Sequence, residues 1–248
     1  MRFSALICLL LGATLAGAQA DSTGWTYTGR TGPINWSKLD PAYRACSQGR
    51  EQSPVDIRGA HLNTSLQPLE FHYLAGSVTV ENTGNLIVVH VNPGSYMVSG
   101  GTRYELDHLE FHHPSEHAVR GRLTDMDVEL VHKSAEGKMA IISVRLALDR
   151  GDPNATLATL WEHLPTKPHT TEKVPGMVNP GGFLPGDRGY WTYMGSLTTP
   201  PCTEGVRWFV MEQALSISRD QLQAIERLFR VSSRPLEDLH GRRIEANE

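Results

Sequence analysis

Between Leu69 and Leu148 the chain consists of short runs in which apolar and polar residues alternate. The runs are rich in Val, Ile and aromatic residues, and Gly, Pro and Asn separate them. This pattern is typical of strands in a largely antiparallel sheet. It predicts strands over Leu69–Tyr73, Ser77–Asn82, Leu86–Asn92, Tyr96–Ser99, Tyr104–His112, Asp125–Lys133 and Met139–Leu148, with two more at Trp191–Tyr193 and Val206–Glu212.

Helical spacing is confined to a few segments. Leu157–Leu164 and Ser218–Phe229 are predicted helices, and Ser218 is the expected N-cap of the second. Residues 25–60 are rich in Gly, Pro and polar residues and predict irregular structure, with a short helix near Pro41–Ala45. Because no repeat and no linker divides the chain, we expect one mainly β (α+β) domain over residues 21–248.

The first twenty residues are a predicted signal peptide. Arg2 provides a positive start, Phe3–Ala16 is mostly apolar, and Ala18-Gln19-Ala20 fits a cleavage site before Asp21. A membrane anchor is the alternative, which would need about 20 apolar residues and a stop-transfer flank. No second long apolar stretch follows. We therefore expect a periplasmic or secreted protein that does not insert into a membrane once the signal is removed.

Composition narrows the function classes. The chain is 40% hydrophobic and 20% charged, as in an ordinary globular protein. A net charge of -4 and a pI near 6.3 give no support for nucleic-acid binding, which needs a basic surface. Cys8 lies in the predicted signal, which leaves Cys46 and Cys202. An oxidising compartment favours a disulfide between them, and two free thiols or a metal site are the alternatives.

A candidate metal site lies on the predicted strand Tyr104–His112. Alternate residues of a strand face the same side, so His108, Glu110 and His112 share one face. The next predicted strand can bring Glu129 alongside them. Imidazole and carboxylate groups together are typical ligands of divalent metals.

Several sequence motifs surround this cluster. They are Trp25-Thr26-Tyr27, Gln52-Ser53-Pro54-Val55-Asp56-Ile57, Pro114-Ser115-Glu116-His117, Leu130-Val131-His132-Lys133, Tyr190-Trp191-Thr192-Tyr193, Gly195-Ser196-Leu197-Thr198-Thr199-Pro200-Pro201-Cys202 and Arg234-Pro235. Together they resemble the α-class carbonic anhydrases, specifically the exported bacterial branch, over nearly all of residues 21–248. The resemblance implies a twisted, mostly antiparallel ten-stranded sheet with a conical cavity that ends at a zinc ion. It also implies a disulfide between Cys46 and Cys202.

The family binds zinc through three histidines, and two of them are altered here. With Tyr104 and Pro114-Ser115-Glu116 as anchors, Glu110 takes the first ligand position, His112 the second and Glu129 the third. Three neutral imidazoles do not offset the double charge of the metal, and the metal then lowers the pKa of its bound water to about 7. That value was established for the carbonic anhydrases themselves. Two carboxylates offset that charge. We therefore expect a higher water pKa and a preference that moves from zinc toward iron or manganese.

The resemblance also gives roles to the neighbouring residues. His108 stands where a glutamine supports the first ligand, and Asp127 where a glutamate supports the third. Asn85 stands where many active members carry the histidine that shuttles protons. Thr198 matches the threonine that orients the metal-bound hydroxide and Glu116 the acid that accepts its hydrogen bond. Thr199 and Tyr27 match residues that organise the cavity water. The apolar wall where carbon dioxide would rest is matched by Val131, Ile141, Leu197, Val206 and Trp208.

Three interpretations of the cluster remain open from the sequence. In the first, Glu110, His112 and Glu129 hold a metal. In the second, His108 and His90 join His112 in a shifted site. In the third, no metal is bound and the protein is not catalytic. Arg145, on the cavity side of its strand, then pairs with the carboxylates.

The resemblance implies reversible hydration of carbon dioxide to bicarbonate and a proton, which the altered ligands are expected to impair. The contrasting expectation is a carbonic-anhydrase-related protein that binds a partner or small ligand without catalysis. Hydrolysis of activated esters, a side activity of the family, is a third. Homodimers are common in the bacterial branch, although this sequence alone does not establish one.

Overall fold

A computed structural model describes residues 24–148 and 151–247, so the predicted signal peptide, residues 1–20, lies outside the described residues. Fifteen strands dominate the described chain. They are β1 Asp56–Ile57, β2 His61–Leu62, β3 Glu70–His72, β4 Val78–Asn82, β5 Ile87–Val91, β6 Tyr96–Ser99, β7 Thr102–His112, β8 Ala118–Val119, β9 Met126–Lys133, β10 Met139–Leu148, β11 Thr170–Lys173, β12 Tyr190–Ser196, β13 Glu204–Met211, β14 Leu215–Ile217 and β15 Glu245–Ala246.

Thirteen of these strands form one sheet. Ten of them pair side by side in the order β11-β4-β5-β7-β9-β10-β13-β12-β15-β2, while β3, β6 and β14 pair off this path. Most neighbours are antiparallel, and the parallel pairs of this sheet are β10 with β13, β10 with β14, and β15 with β2. β1 and β8 form a separate parallel pair. The mostly antiparallel sheet with a ten-strand path agrees with the predicted fold.

The nine predicted strands are all present, with ends that differ by at most three residues. Six additional strands were not predicted from the pattern, and four of them (β1, β2, β8 and β15) contain only two residues. Two residues cannot show an alternating pattern, so pairing with a neighbour defines these strands. These four strands therefore gave no signal in the sequence.

Helices are few and short. They are α1 Trp36–Leu39, α2 Ala45–Gln48, α3 Ala155–Trp161 and α4 Arg219–Glu226, with 3-10 helices at Gly29–Thr31, Pro33–Asn35, Pro41–Tyr43 and Pro180–Phe183. The predicted cap of α4 is confirmed, because Ser218 and Gln221 form a reciprocal capping box. Within the described residues, no helix is both long enough and apolar enough to cross a membrane.

The central strands are covered on both faces. In β9, Met126, Val128 and Leu130 pack into the main core with α3 and α4, whereas Val131 points the other way into a second apolar cluster. Asp127 and Glu129 share that second face and are fully buried. The strand therefore places two carboxylates inside the protein, where they need neutralising partners.

The predicted disulfide is present. Cys46 at the end of the N-terminal segment is bonded to Cys202, 156 residues later, with a Cα–Cα distance of 5.1 Å. The bond lies in a small buried cluster with Tyr27, Trp36 and Val88. It therefore ties the irregular N-terminal segment to the loop that follows β12.

Candidate metal centre

The centre is built on the pairing of β7 with β9. Glu110 lies opposite Glu129, and His112 lies opposite Asp127. Directly opposed residues of antiparallel strands point to the same face with their Cβ atoms about 5 Å apart. The register predicted from the motifs therefore brings Glu110, His112 and Glu129 together, and one potential ligand atom from each lies within 4.8 Å of the others.

His112 presents one ring nitrogen to the carboxylates. Its Nδ1–H donates to the carbonyl oxygen of Ser232 at 2.7 Å, which leaves the lone pair on Nε2. Nε2 lies 3.7 Å from Oε2 of Glu110 and 3.7 Å from Oε2 of Glu129. A backbone carbonyl that fixes the ring in this way is typical of metal-binding histidines.

Several atoms of the centre are buried without a hydrogen-bond partner. They include Nε2 of His112 and both carboxylate oxygens of Glu129. A buried polar atom without a partner costs about 1–3 kcal/mol, and more if it is charged. One nitrogen and several carboxylate oxygens within reach of each other are the donors that a divalent cation takes. The residues present therefore fit a divalent metal, with one imidazole and two carboxylates as the donors.

Without a bound cation, protons offset part of the negative charge of the buried carboxylates. Burial raises the pKa of Glu129 well above its ordinary value, and nearby Glu116 and Asp127 add to the rise. Burial also raises the pKa of Asp127, to about 7. For His112 burial acts downward, but the surrounding carboxylates, Glu116 first, hold its pKa well above the ordinary value.

His108 bridges the centre and the surface. One ring nitrogen is 3.0 Å from Oε1 of Glu110, and the other is 2.7 Å from Oδ2 of Asp107. Burial opposes protonation of His108, yet these two carboxylates raise its pKa above the ordinary value. The pKa of Glu110 is lowered to about 2, because the hydrogen bond from His108 and the nearby imidazole of His112 outweigh the effect of burial. The structure therefore places His108 against Glu110, the position predicted for a residue that supports the first ligand.

Asp127 does not contact Glu129 through a hydrogen bond. Its Oδ2 accepts hydrogen bonds from the backbone N–H of Glu116 at 3.1 Å and from the hydroxyl of Ser143 at 3.2 Å. Its Oδ1 has no partner. Asp127 therefore orients the Glu116 segment, and its second oxygen is left without a partner.

The shifted histidine site is not assembled. His90 does lie opposite His108 in the β5–β7 pairing, but its Nε2 is 2.6 Å from Oε2 of Glu81 on β4. Neither group of potential ligands that the described residues bring together contains His90 or His108. The strand parity was correct, and the carboxylate on the adjacent strand decides where the His90 ring lies.

The pairing predicted for Arg145 is also not formed. Its guanidinium donates to the backbone carbonyl of Glu212 and lies 5.6 Å from the ring centroid of Trp191. Among the described residues, the ion pairs around the centre join histidines to carboxylates, and none joins Arg145 to Glu110 or Glu129. Arg145 therefore does not replace a cation at these two glutamates.

Glu116 and Thr198 lie beside the centre. Oε1 of Glu116 accepts a hydrogen bond from the backbone N–H of Arg234 at 3.0 Å and lies 3.5 Å from Nδ1 of His112. Burial raises the pKa of Glu116, while His112 and the hydroxyl of Thr198 lower it. Oε2 of Glu116 has no hydrogen bond of standard geometry. In the family pattern, a carboxylate oxygen of this acid accepts a hydrogen bond from the threonine hydroxyl. Oε2 of Glu116 is free to take that role toward Thr198.

A cavity of about 360 Å³ opens beside Glu110. Thr199 and Asn85 line it as the sequence predicts, and Nδ2 of Asn85 donates to the carbonyl of Trp25 at 2.9 Å. His169 is exposed and lines the same cavity, and the sequence motifs gave it no role. His169 lies outside the strands, directly before β11, so the alternation of faces along a strand gave no signal for it. Tyr27 is buried nearby with its hydroxyl unpartnered.

The predicted apolar wall is one continuous cluster. Val131, Ile141, Val206 and Trp208 are buried together, and Leu197 packs against them. Because β9, β10 and β13 are adjacent, Val131, Ile141 and Trp208 stand in a single cross-strand row. An apolar surface therefore lies on the same sheet face as the carboxylates.

Comparison with known proteins identifies the family. A family model described as "Eukaryotic-type carbonic anhydrase" matches residues 31–248. The chain belongs to this family. It is 33% identical over 237 residues to a carbonic anhydrase of Pectobacterium carotovorum, covering 95% of this chain and 96% of that protein.

Two solved structures show the same fold. The α-carbonic anhydrase of Thermovibrio ammonificans, in complex with sulfanilamide, has a TM-score of 0.86 and 34% identity over 90% of this chain and 98% of its own. A dioscorin in complex with ascorbate has a TM-score of 0.84 and 28% identity, over 90% of this chain and 97% of its own. Zinc is the metal of the α-carbonic anhydrases, and this chain brings Glu110, His112 and Glu129 together on the same fold.

Proposed function

We propose that this protein hydrates carbon dioxide reversibly to bicarbonate and a proton, with a divalent cation held by Glu110, His112 and Glu129. Family membership supports this reaction in general. For this chain the supporting observation is the set of unpartnered donors, Nε2 of His112 and both oxygens of Glu129, buried beside the apolar wall. A bound divalent cation supplies Lewis-acid activation of water. Its preferred identity shifts from zinc toward iron or manganese because two donors are carboxylates.

The chain's own residues position the reactants in this proposal. The backbone N–H of Arg234 fixes Glu116, whose free Oε2 is available to accept a hydrogen bond from the hydroxyl of Thr198. Thr198, buried at 3% exposure, then offers its oxygen to orient the attacking water. The row formed by Val131, Ile141 and Trp208 excludes water and contacts the apolar substrate.

The proton leaves through the cavity that Glu110 and His169 both line. Asn85 cannot carry a proton, and its side chain is held by the carbonyl of Trp25. An imidazole is the side chain best suited to exchange protons near neutral pH. His169 is exposed at this cavity, so we assign it the transfer of protons between the cavity and buffer.

The alternative is a non-catalytic binding protein. The likeness to a dioscorin solved with ascorbate supports it, because that protein holds a small molecule on the same fold. The two carboxylates at ligand positions also weaken the activation of water. In this alternative, the cavity beside Glu110 holds a small ligand and no hydration occurs.

Hydration rates in defined metal forms separate the two functions. The metal-stripped protein and its zinc, iron and manganese forms are compared by stopped-flow mixing with carbon dioxide. We expect a rate that requires added metal, and a large further gain with zinc in the double variant E110H/E129H. Activity in the double variant alone, with no wild-type metal form active, would favour the binding protein. Glu172→Gln, an exposed carboxylate on β11, is the matched control.

A further inference from the structure

A second group of potential ligands lies directly behind the first. It consists of His117, which precedes β8, and Asp127 and Glu129 on β9, and one potential ligand atom from each lies within 4.8 Å of the others. All three side chains are fully buried. The two groups share Glu129 and no other residue.

His117 and Asp127 each have one atom held by hydrogen bonds and a second atom that is free. One ring nitrogen of His117 is held by the hydroxyl of Tyr193 at 2.7 Å, and Nδ1 has no partner. When Nε2–H donates to Tyr193, whose hydroxyl can donate to Ser53 at 2.8 Å, Nδ1 keeps its lone pair. Oδ2 of Asp127 is held by Ser143 and the backbone of Glu116, and its Oδ1 is unpartnered.

Glu129 belongs to both groups, and both of its oxygens are buried and unpartnered. We propose that His117, Asp127 and Glu129 bind a second divalent cation, joined to the first by the Glu129 carboxylate. This inference rests on the proposed function only in requiring a first cation at Glu110, His112 and Glu129.

The charge of the region agrees with two cations. Four buried or nearly buried carboxylates meet here, those of Glu110, Glu116, Asp127 and Glu129, and the nearby Arg145 turns its guanidinium to the carbonyl of Glu212. One divalent cation leaves two negative charges in this set, and two cations neutralise it.

The donor set also indicates which metals are suitable. Four carboxylates and two histidines are the ligands of carboxylate-bridged iron and manganese pairs in helical bundles. A donor set of the same kind is assembled here with one carboxylate fewer: Glu110, Asp127 and Glu129, with His112 and His117 as the imidazoles. The class of ion is therefore an oxygen- and nitrogen-seeking divalent metal such as Mn²⁺ or Fe²⁺.

Manganese binding tests the second position without relying on activity. The full chain is stripped of metal, dialysed against Mn²⁺ alone, and analysed for bound metal and for the electron paramagnetic resonance spectrum of the bound ions. We expect two ions per chain with the spectrum of a magnetically coupled pair. Asp127→Asn keeps the shape of the side chain but removes its charge, and should bind one ion with the spectrum of isolated Mn²⁺.

His117→Gln provides a second variant with the same expectation if Asp127→Asn does not fold. Asp238→Asn, which removes the charge of an exposed carboxylate, is the control and should keep the coupled pair. One uncoupled ion in the wild type would overturn the second site and leave the proposed function intact. A coupled pair that survives both Asp127→Asn and His117→Gln would also overturn it. No bound ion in the wild type would overturn both the second site and the proposed function.

Discussion

Replacing Glu129 with Gln should make the metal-free protein more stable. Glu129 is fully buried, and its potential ligand oxygen lies within 4.8 Å of that of Glu110. Two full charges at that separation repel each other by about 3–4 kcal/mol at an effective dielectric constant near 20. Burial raises the pKa of Glu129 well above its ordinary value, so the folded protein must either protonate it or bear this repulsion. Glutamine removes the charge and retains the shape. We expect a gain of about 2–3 kcal/mol near pH 8, or roughly 4–12 °C in Tm.

The advantage of the variant should largely disappear once metal is present. A cation at 100 times its Kd stabilises the wild type by about 2.7 kcal/mol, and the variant loses a charged ligand and most of this shift. Thermal unfolding with a chelator and with excess Mn²⁺ measures both effects, and Glu172→Gln should behave as the wild type does. A variant that is less stable than the wild type without metal would refute the reasoning. So would an unchanged metal-induced shift.

Three further predictions concern other parts of the molecule. Replacing Cys46 and Cys202 with Ser should cost about 5 kcal/mol in urea unfolding, because the bond closes a loop of 156 residues; a loss below 1 kcal/mol would contradict this. Burial lowers the pKa of His132 to about 4 from an ordinary value of 6.5. The contribution of neutral His132 to the free energy of unfolding, up to about 3 kcal/mol, should therefore be complete above pH 6.5 and be lost on acidification toward pH 4. His132→Gln should flatten this slope in pH-dependent unfolding. His169→Ala should slow hydration several-fold in dilute buffer, with recovery at high imidazole concentration; equal rates in dilute buffer would remove His169 from the proton path.

The parts of the centre that follow from strand periodicity could be predicted. Glu110, His112 and Glu129 lie on long strands whose register is set by buried apolar neighbours, so their meeting follows from the sequence. His108 reaches Glu110 for the same reason, since the two are neighbours on one strand face.

Other features depend on tertiary contacts that leave no periodic signal. His117 lies outside the long strands, and its approach to Asp127 depends on how the segment after β7 folds back. Parity placed Arg145 on the correct face, but the carbonyl of Glu212 determines where its guanidinium ends. A carboxylate on the neighbouring strand likewise holds His90. Periodicity gives the face of a side chain, and competing partners give its final contact.

The most direct test of a metal-binding centre is the metal content of the protein itself. The protein is purified from its host without chelators or a metal-binding tag, and its metals are measured per chain. The account predicts at least one tightly held divalent ion per chain, with iron or manganese favoured over zinc. A folded protein that contains no stoichiometric metal and takes up neither added zinc nor added manganese would contradict it.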